Sequence, residues 1–168
     1  YLQMQLGWSS VSVGTFLAAW IIGYGAVQAI SPALTGTRSG HTPDGRTAFA
    51  WGAGLVGIPL ALTIALEVGV DPTMTLVAGL LAFGFVFAVN SAVHSYLIVS
   101  YAEHDGVTLD VGFYYMSNAA GRLTGTILSG WVFQEWGMEA CLMVSAAMVL
   151  CATYTATALP KAHRQPHQ

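Results

Sequence analysis

Tyr114, Asn118 and Arg122 follow one another at i, i+4 and i+8 inside an apolar stretch, so on a helix all three share one face. Arg122 lies about twelve residues into that stretch, near the middle of a membrane crossing if the stretch is one. A guanidinium there has to meet a partner or a water-filled cavity. Its planar fork suits the oxygens of a carboxylate, phosphate or arsenate. Two readings stand: an anion-binding residue in a transport path, or one half of a structural ion pair. Glu67 is the only acid within the apolar stretches, and it falls near the outer end of its own.

A second stripe carries Asn90, His94 and Tyr101 at i, i+4 and i+11, with Leu97 between the last two. His94 is the only histidine inside an apolar stretch. Imidazole changes charge near neutral pH, so His94 is a candidate for anion contact or proton coupling. The competing reading is a neutral histidine hydrogen-bonded to a neighbouring helix. Tyr101 sits at the end of its stripe and reads as an interfacial anchor, while Tyr96 points to another face. Tyr24 and Gln28 form a weaker i, i+4 pair, and Tyr24 is a candidate to line the same cavity. Ser91 and Ser95 have no acid–base set beyond His94, so no nucleophile constellation forms. No Gly-rich phosphate loop is present, and ATP hydrolysis is not expected of this chain. Cys141 and Cys151 are ten residues apart, about 15 Å along a helix, too far to bridge. They have no metal-ligand spacing around them, and no cofactor is implied.

The elements that must position these groups are five apolar stretches of about twenty residues: 11–30, 48–68, 74–99, 111–133 and 140–159. A hydrocarbon core about 30 Å thick takes roughly 20 helical residues to cross. Hydrophobic residues make up 55% of the chain and charged residues 8%, against about 25% charged in soluble domains. The expectation is an all-α, polytopic membrane protein of five transmembrane helices in contact with a lipid bilayer. A membrane barrel would need segments of about ten residues in strict alternation. The net charge of −3 and five Lys and Arg in all leave no basic patch for nucleic acid. Residues 1–10 read as the end of an earlier helix and its outer loop, which makes the chain an expected fragment. No signal peptide is read at its start.

Arg38 and Arg46 lie between the first and second stretches, and Lys161 and Arg164 in the tail, 160–168. Five crossings put these four of the five basic residues on one side, which the loop-charge rule assigns to the cytoplasm. The segment 101–110 falls on that side too, although it holds Glu103, Asp105 and Asp110 and no basic residue. Pro59 is expected to kink the second helix. Gly52, Gly54 and Gly57, and Gly121, Gly125 and Gly130, are expected to let helix backbones approach closely. Trp8, Trp131 and Trp136 flank helix ends as interfacial anchors. The Gly/Ser/Thr/Pro-rich run 36–46 is the flexible loop.

The layout resembles the C-terminal half of a major facilitator superfamily transporter, with the five spans standing for its helices 8 to 12. A signature loop of that superfamily survives here only as Asp44-Gly45-Arg46. A closer likeness lies in Asn90-Ser-Ala-Val-His94-Ser-Tyr-Leu-Ile and Asp110-Val-Gly-Phe-Tyr-Tyr-Met-Ser-Asn118-Ala-Ala-Gly-Arg122-Leu-Thr-Gly-Thr-Ile-Leu-Ser-Gly130. It extends through Trp20-Ile-Ile-Gly-Tyr-Gly-Ala-Val-Gln28 and Ala140-Cys-Leu. These strings resemble the ArsJ family of organoarsenical efflux permeases. The resemblance implies export of 1-arseno-3-phosphoglycerate, arsenate resistance, a bacterial inner-membrane location and a C-terminal tail in the cytoplasm. It also implies a functional partner, a glyceraldehyde-3-phosphate dehydrogenase that makes the ester from arsenate. The missing N-terminal half of the same permease would complete the site. Expected substrate contacts are Arg122, His94, Asn118, Asn90, Tyr114 and Tyr24. The alternatives are another antiporter of the superfamily, for drugs, sugars or organic anions, and a non-transporting membrane subunit. A lipid-modifying enzyme lacks a catalytic set.

Overall fold

The computed structural model of the chain describes residues 1–36, 43–101 and 107–158. Arg38, Glu103, Asp105, Lys161 and Arg164 lie outside the described residues. Within them the regular structure is helical: α1 is Ser10–Leu34, α2 is Gly45–Glu67, α3 is Pro72–Tyr101 and α4 is Val107–Ala156. All four are long and apolar enough to cross a membrane. The length follows from what lipid demands. Without water to satisfy a carbonyl or amide, a spanning segment stays helical from one interface to the other.

The expected five separate helices are four. The stretches 111–133 and 140–159 both fall largely within α4, a run of 50 residues broken by non-helical backbone at Gly137. Gly137 has φ 84°, a left-handed conformation that costs a residue with a Cβ about 1–2 kcal/mol. One such residue is enough to fold the run back. The Cys141 thiol reaches the Ser129 carbonyl at 3.8 Å, whereas twelve residues of unbroken helix span about 18 Å. The arm 107–136 is about 45 Å long and the arm 138–156 about 28 Å, so each has the reach of a crossing. Trp131 and Trp136 meet edge to face at 5.2 Å beside the break. The helix begins at Val107, so Asp110 falls in its first turn rather than in a loop. There its charge complements the helix dipole.

Helix pairing is set by close approach. α2 packs along both α3 and α4, and α1 packs along α3 alone among the described helices. Buried Gly52 of α2 lies against Thr153, where a Cβ would come 2.6 Å from Oγ1. Gly79 of α3 lies against Leu62. Gly84 of α3 lies under the Trp20 indole. Gly54 makes only an ordinary contact with Val86, and a Cβ on Gly57, Gly121, Gly125 or Gly130 would touch nothing within 4 Å. The expectation that all six glycines named from the sequence mediate packing is corrected: Gly52 does so closely, while Gly79 and Gly84, not named, do the rest. Ala48, Val93, Leu97 and Ala156 form a buried cluster where α2, α3 and the end of α4 converge. Tyr101 and Tyr96 pack against that cluster, so Tyr101 is a core contact as well as a helix-end residue. Outward-facing Ile21, Ile64, Leu123 and Ile127 are each more than 60% exposed, the surface a bilayer covers.

Pro59 is buried within α2, and Thr63 Oγ1 donates to its carbonyl at 3.0 Å. Asp44 caps α2: its carboxylate accepts from the Arg46 and Thr47 amides at 3.1 and 3.0 Å and from the Thr47 hydroxyl at 3.2 Å. The Asp44-Gly45-Arg46 remnant is thus a helix start. The Thr47 amide is the largest cause holding the Asp44 carboxyl below its ordinary value, with the Arg46 amide and guanidinium adding to it. A depressed folded value contributes stability that is complete above the ordinary aspartate value of about 3.9 and is lost as pH falls through the folded one. Asp44→Ala is expected to cost about 1 kcal/mol at neutral pH, the usual worth of a cap. Asp44→Asn, which still caps, should cost much less. Thermal unfolding of both variants in detergent from neutral pH to below the aspartate range checks this. The Ala penalty should shrink at the acid end.

Candidate functional site

Two polar groups are positioned on different elements. On α3, His94 Nδ1 donates to the Asn90 carbonyl oxygen at 2.9 Å, one turn back along its own helix. A carbonyl can only accept, so this bond keeps the proton on Nδ1 and turns Nε2, as acceptor, away from it. The Asn90 side-chain oxygen Oδ1 is buried and has no hydrogen-bond partner among the described residues. Buried amide oxygens without a partner are uncommon and costly. Asn90 and His94 therefore lie together on one part of α3, both half-buried, with the Asn90 amide oxygen unfilled among the described residues. A ligand hydroxyl or a donor from another element would satisfy that oxygen.

On α4, Tyr114 is half-buried while Asn118 and Arg122 are exposed. None of the described residues forms an ion pair or hydrogen bond with the Arg122 side chain; its backbone carbonyl accepts from Thr126 Oγ1 at 2.8 Å. The structural ion pair considered from sequence is absent among the described residues. Glu67 is the last residue of α2 and is exposed. The stripe of Tyr114, Asn118 and Arg122 continues through Gly121 and Gly125 at helical spacing. Both glycines are open, so this face of α4 is polar, slender and uncovered.

The structure brings Asn90 and His94 together. It leaves Tyr114, Asn118 and Arg122 on a helix that meets α3 only briefly. Tyr24 belongs to a third place: α1 does not pack on α4 among the described residues. Its ring stacks on Trp20 at 5.8 Å and tilts against Phe87 at 5.7 Å, and Phe87 stacks on Phe83 at 5.6 Å. Trp20 Nε1 donates to the Leu80 carbonyl at 2.7 Å, tying α1 to α3. Sequence reading passed over this aromatic ladder. Its signal was the i, i+4 spacing of Trp20 with Tyr24 and of Phe83 with Phe87, beside the small residue Gly84.

Arranged this way, the helices offer a guanidinium fork, a pair of amide side chains, an imidazole and a phenol within membrane-spanning segments. Those are groups able to hydrogen-bond a polar solute, and among the described residues no nucleophile is placed beside an acid–base pair. Comparison with known proteins agrees with a transport role. The family model for the Major Facilitator Superfamily matches residues 1–168. No curated protein and no solved structure matches the chain.

Proposed function

Since the chain belongs to the major facilitator superfamily, a family of multi-pass membrane transporters, we propose that it exports a small organic anion by alternating access. The single observation that carries this reading is Arg122. It lies within a spanning helix and no described side chain neutralises it. Placing an arginine at mid-membrane costs about 2.5–3.5 kcal/mol on insertion scales. A residue with that cost and no partner among the described residues is suited to a transported anion.

In this reading Arg122 grips two oxygens of the anion through its fork, which a lysine ammonium does less well. Asn118 and Tyr114 stand on the same stripe and donate to neighbouring oxygens. Asn90 contributes its amide from α3. His94, with Nδ1 committed to the Asn90 carbonyl, takes up or releases a proton at Nε2 and adds positive charge when protonated. Tyr24 contributes at the margin, from α1. Alternating access places such a site near the midplane, between two bundles that rock about it. The second bundle would be an N-terminal half of the same permease. The basic segments around Arg38 and Lys161 would face the cytoplasm of a bacterial cell.

The resemblance of the α3 and α4 strings to organoarsenical efflux permeases makes 1-arseno-3-phosphoglycerate the proposed substrate and arsenate resistance the outcome. A glyceraldehyde-3-phosphate dehydrogenase partner would supply the ester. The test is arsenic retention in arsenate-sensitive bacteria producing the full-length permease, with and without that dehydrogenase. Lower cellular arsenic only when both are present is the expected result. Unchanged arsenic, with the permease shown to be in the membrane, overturns the substrate and leaves a transporter for another solute.

A further inference from the structure

α2 and α3 run antiparallel, and two approaches fix their register. Leu62 of α2 lies on Gly79 of α3, and Val86 of α3 lies on Gly54 of α2. From the second contact, three residues back along α2 and four forward along α3 set Trp51 level with Asn90. Both stand on the facing stripes. Trp51 shares its stripe with Ala48 and Leu55, and Asn90 shares its own with Val86 and Val93, all at helical spacing. Trp51 packs against the buried cluster that holds Ala48 and Val93.

The two side chains are complementary. Asn90 Oδ1 is a buried acceptor with no bond among the described residues. The Trp51 indole N–H is a donor, and it too has no partner among them. Both residues are half-buried. This chain already shields Oδ1 from solvent, so its donor has to come from a side chain beside it. His94, one turn away, has committed Nδ1 to the Asn90 backbone carbonyl. Trp51 is the donor that the register supplies. Helical side chains lean toward the N-terminus of their own helix. In an antiparallel pair Trp51 therefore leans toward Ala48 and Asn90 toward Val86, which accounts for the bond being unmade while the ring lies on the cluster. A buried acceptor left unfilled is costly, and a state that fills it is favoured by that cost. The orientation of the amide matters for an anion. An amide turns over to present either its oxygen or its N–H groups, whereas an indole N–H only donates. With Trp51 on Oδ1, the N–H groups are the ones left to face a solute.

We propose that Trp51 is a positioning residue for Asn90. In the solute-bound transporter its ring changes rotamer, donates its N–H to Asn90 Oδ1 and leaves the amide N–H groups directed at the anion. Trp51 itself touches no solute. The role rests on the function proposed above, in which Asn90 contacts an exported anion.

The experiment uses the full-length permease in inverted membrane vesicles. Arsenic uptake is followed with glyceraldehyde-3-phosphate dehydrogenase and its substrates outside, at varied arsenate. Trp51→Phe keeps an aromatic ring over the cluster and loses only the N–H donor and the second ring. The expected result is a rise of about tenfold in the half-saturating arsenate, equivalent to about 1.4 kcal/mol. The maximal rate and the unfolding temperature in detergent should not change. In an Asn90→Ala background, Trp51→Phe should have no further effect, because it acts through Asn90. Uptake by Trp51→Phe equal to the parent overturns the role. A full additional loss in the Asn90→Ala background overturns it too, since the indole then acts without Asn90. So does a fall in maximal rate and unfolding temperature at unchanged half-saturation, which marks a packing residue. A second measurement uses indole-¹⁵N tryptophan in the solubilised permease. The N–H resonance that Trp51→Phe removes belongs to Trp51, and it should shift when the substrate mixture is added to the parent. A resonance that stays in place under conditions of uptake overturns the role by itself. Absence of arsenic uptake by the parent rejects the export function and the positioning role with it, a result distinct from equal uptake by parent and Trp51→Phe.

Discussion

Arg122→Ala is expected to abolish the proposed anion export while leaving the protein folded and in the membrane. The two halves of that expectation have separate physical grounds. Hydrogen bonds to charged groups are worth about 1.5–3 kcal/mol each, so loss of one or both fork contacts lowers export by roughly ten- to more than a hundred-fold, at 1.4 kcal/mol per factor of ten. Folding should not suffer, because the Arg122 side chain bonds to no described residue and is exposed. Removing an arginine from a span relieves its insertion cost. Arg122→Lys keeps the charge and loses the fork, and an intermediate rate is expected. The measurement is export rate per unit of membrane-inserted protein, beside thermal unfolding in detergent. Undiminished export by Arg122→Ala would remove the anion-binding role. A fall in unfolding temperature matching the fall in export would instead make Arg122 a structural residue.

Gly84→Ala is expected to destabilise the bundle by about 1–3 kcal/mol, the cost of overpacking a filled contact. The new methyl would come 2.7 Å from Trp20 Nε1 and 2.8 Å from Cε2. The indole is stiff and cannot bend a terminal atom away. It is also held by the Leu80 carbonyl and by Tyr24. Either the ring leaves its bond or α1 and α3 separate. Tryptophan emission should report the first, and thermal unfolding reports both. Gly121→Ala supplies the contrast: its methyl meets nothing within 4 Å, and exchanging Gly for Ala in a helix gains up to about 1 kcal/mol. Equal stability of Gly84→Ala and the parent protein would show that the Trp20 wedge is not tightly seated.

The membrane class of the protein, its all-helical character and the identity of the polar residues within its apolar stretches are determined by the sequence alone. The reason is that the bilayer acts on each segment locally. Length against a hydrocarbon core, the cost of a charge such as Arg122 and the need to close every backbone hydrogen bond are properties of a single stretch. The spacing of Tyr114, Asn118 and Arg122, and of Asn90 and His94, is likewise local. The His94–Asn90 bond closes within one helix. Whether two helices touch is decided elsewhere. Both faces of a membrane helix are apolar, so no polar stripe marks which one packs, and glycines at Gly52, Gly84 and Gly121 look alike in the sequence. Only the tertiary structure distinguishes the two that meet Thr153 and Trp20 from the one that meets nothing. It alone showed that the break between the last two stretches turns at a single residue of positive φ, Gly137, because a polar break in the sequence does not say how the backbone turns within it. It alone set Trp51 level with Asn90, since a register is a relation between two helices and exists in neither of them.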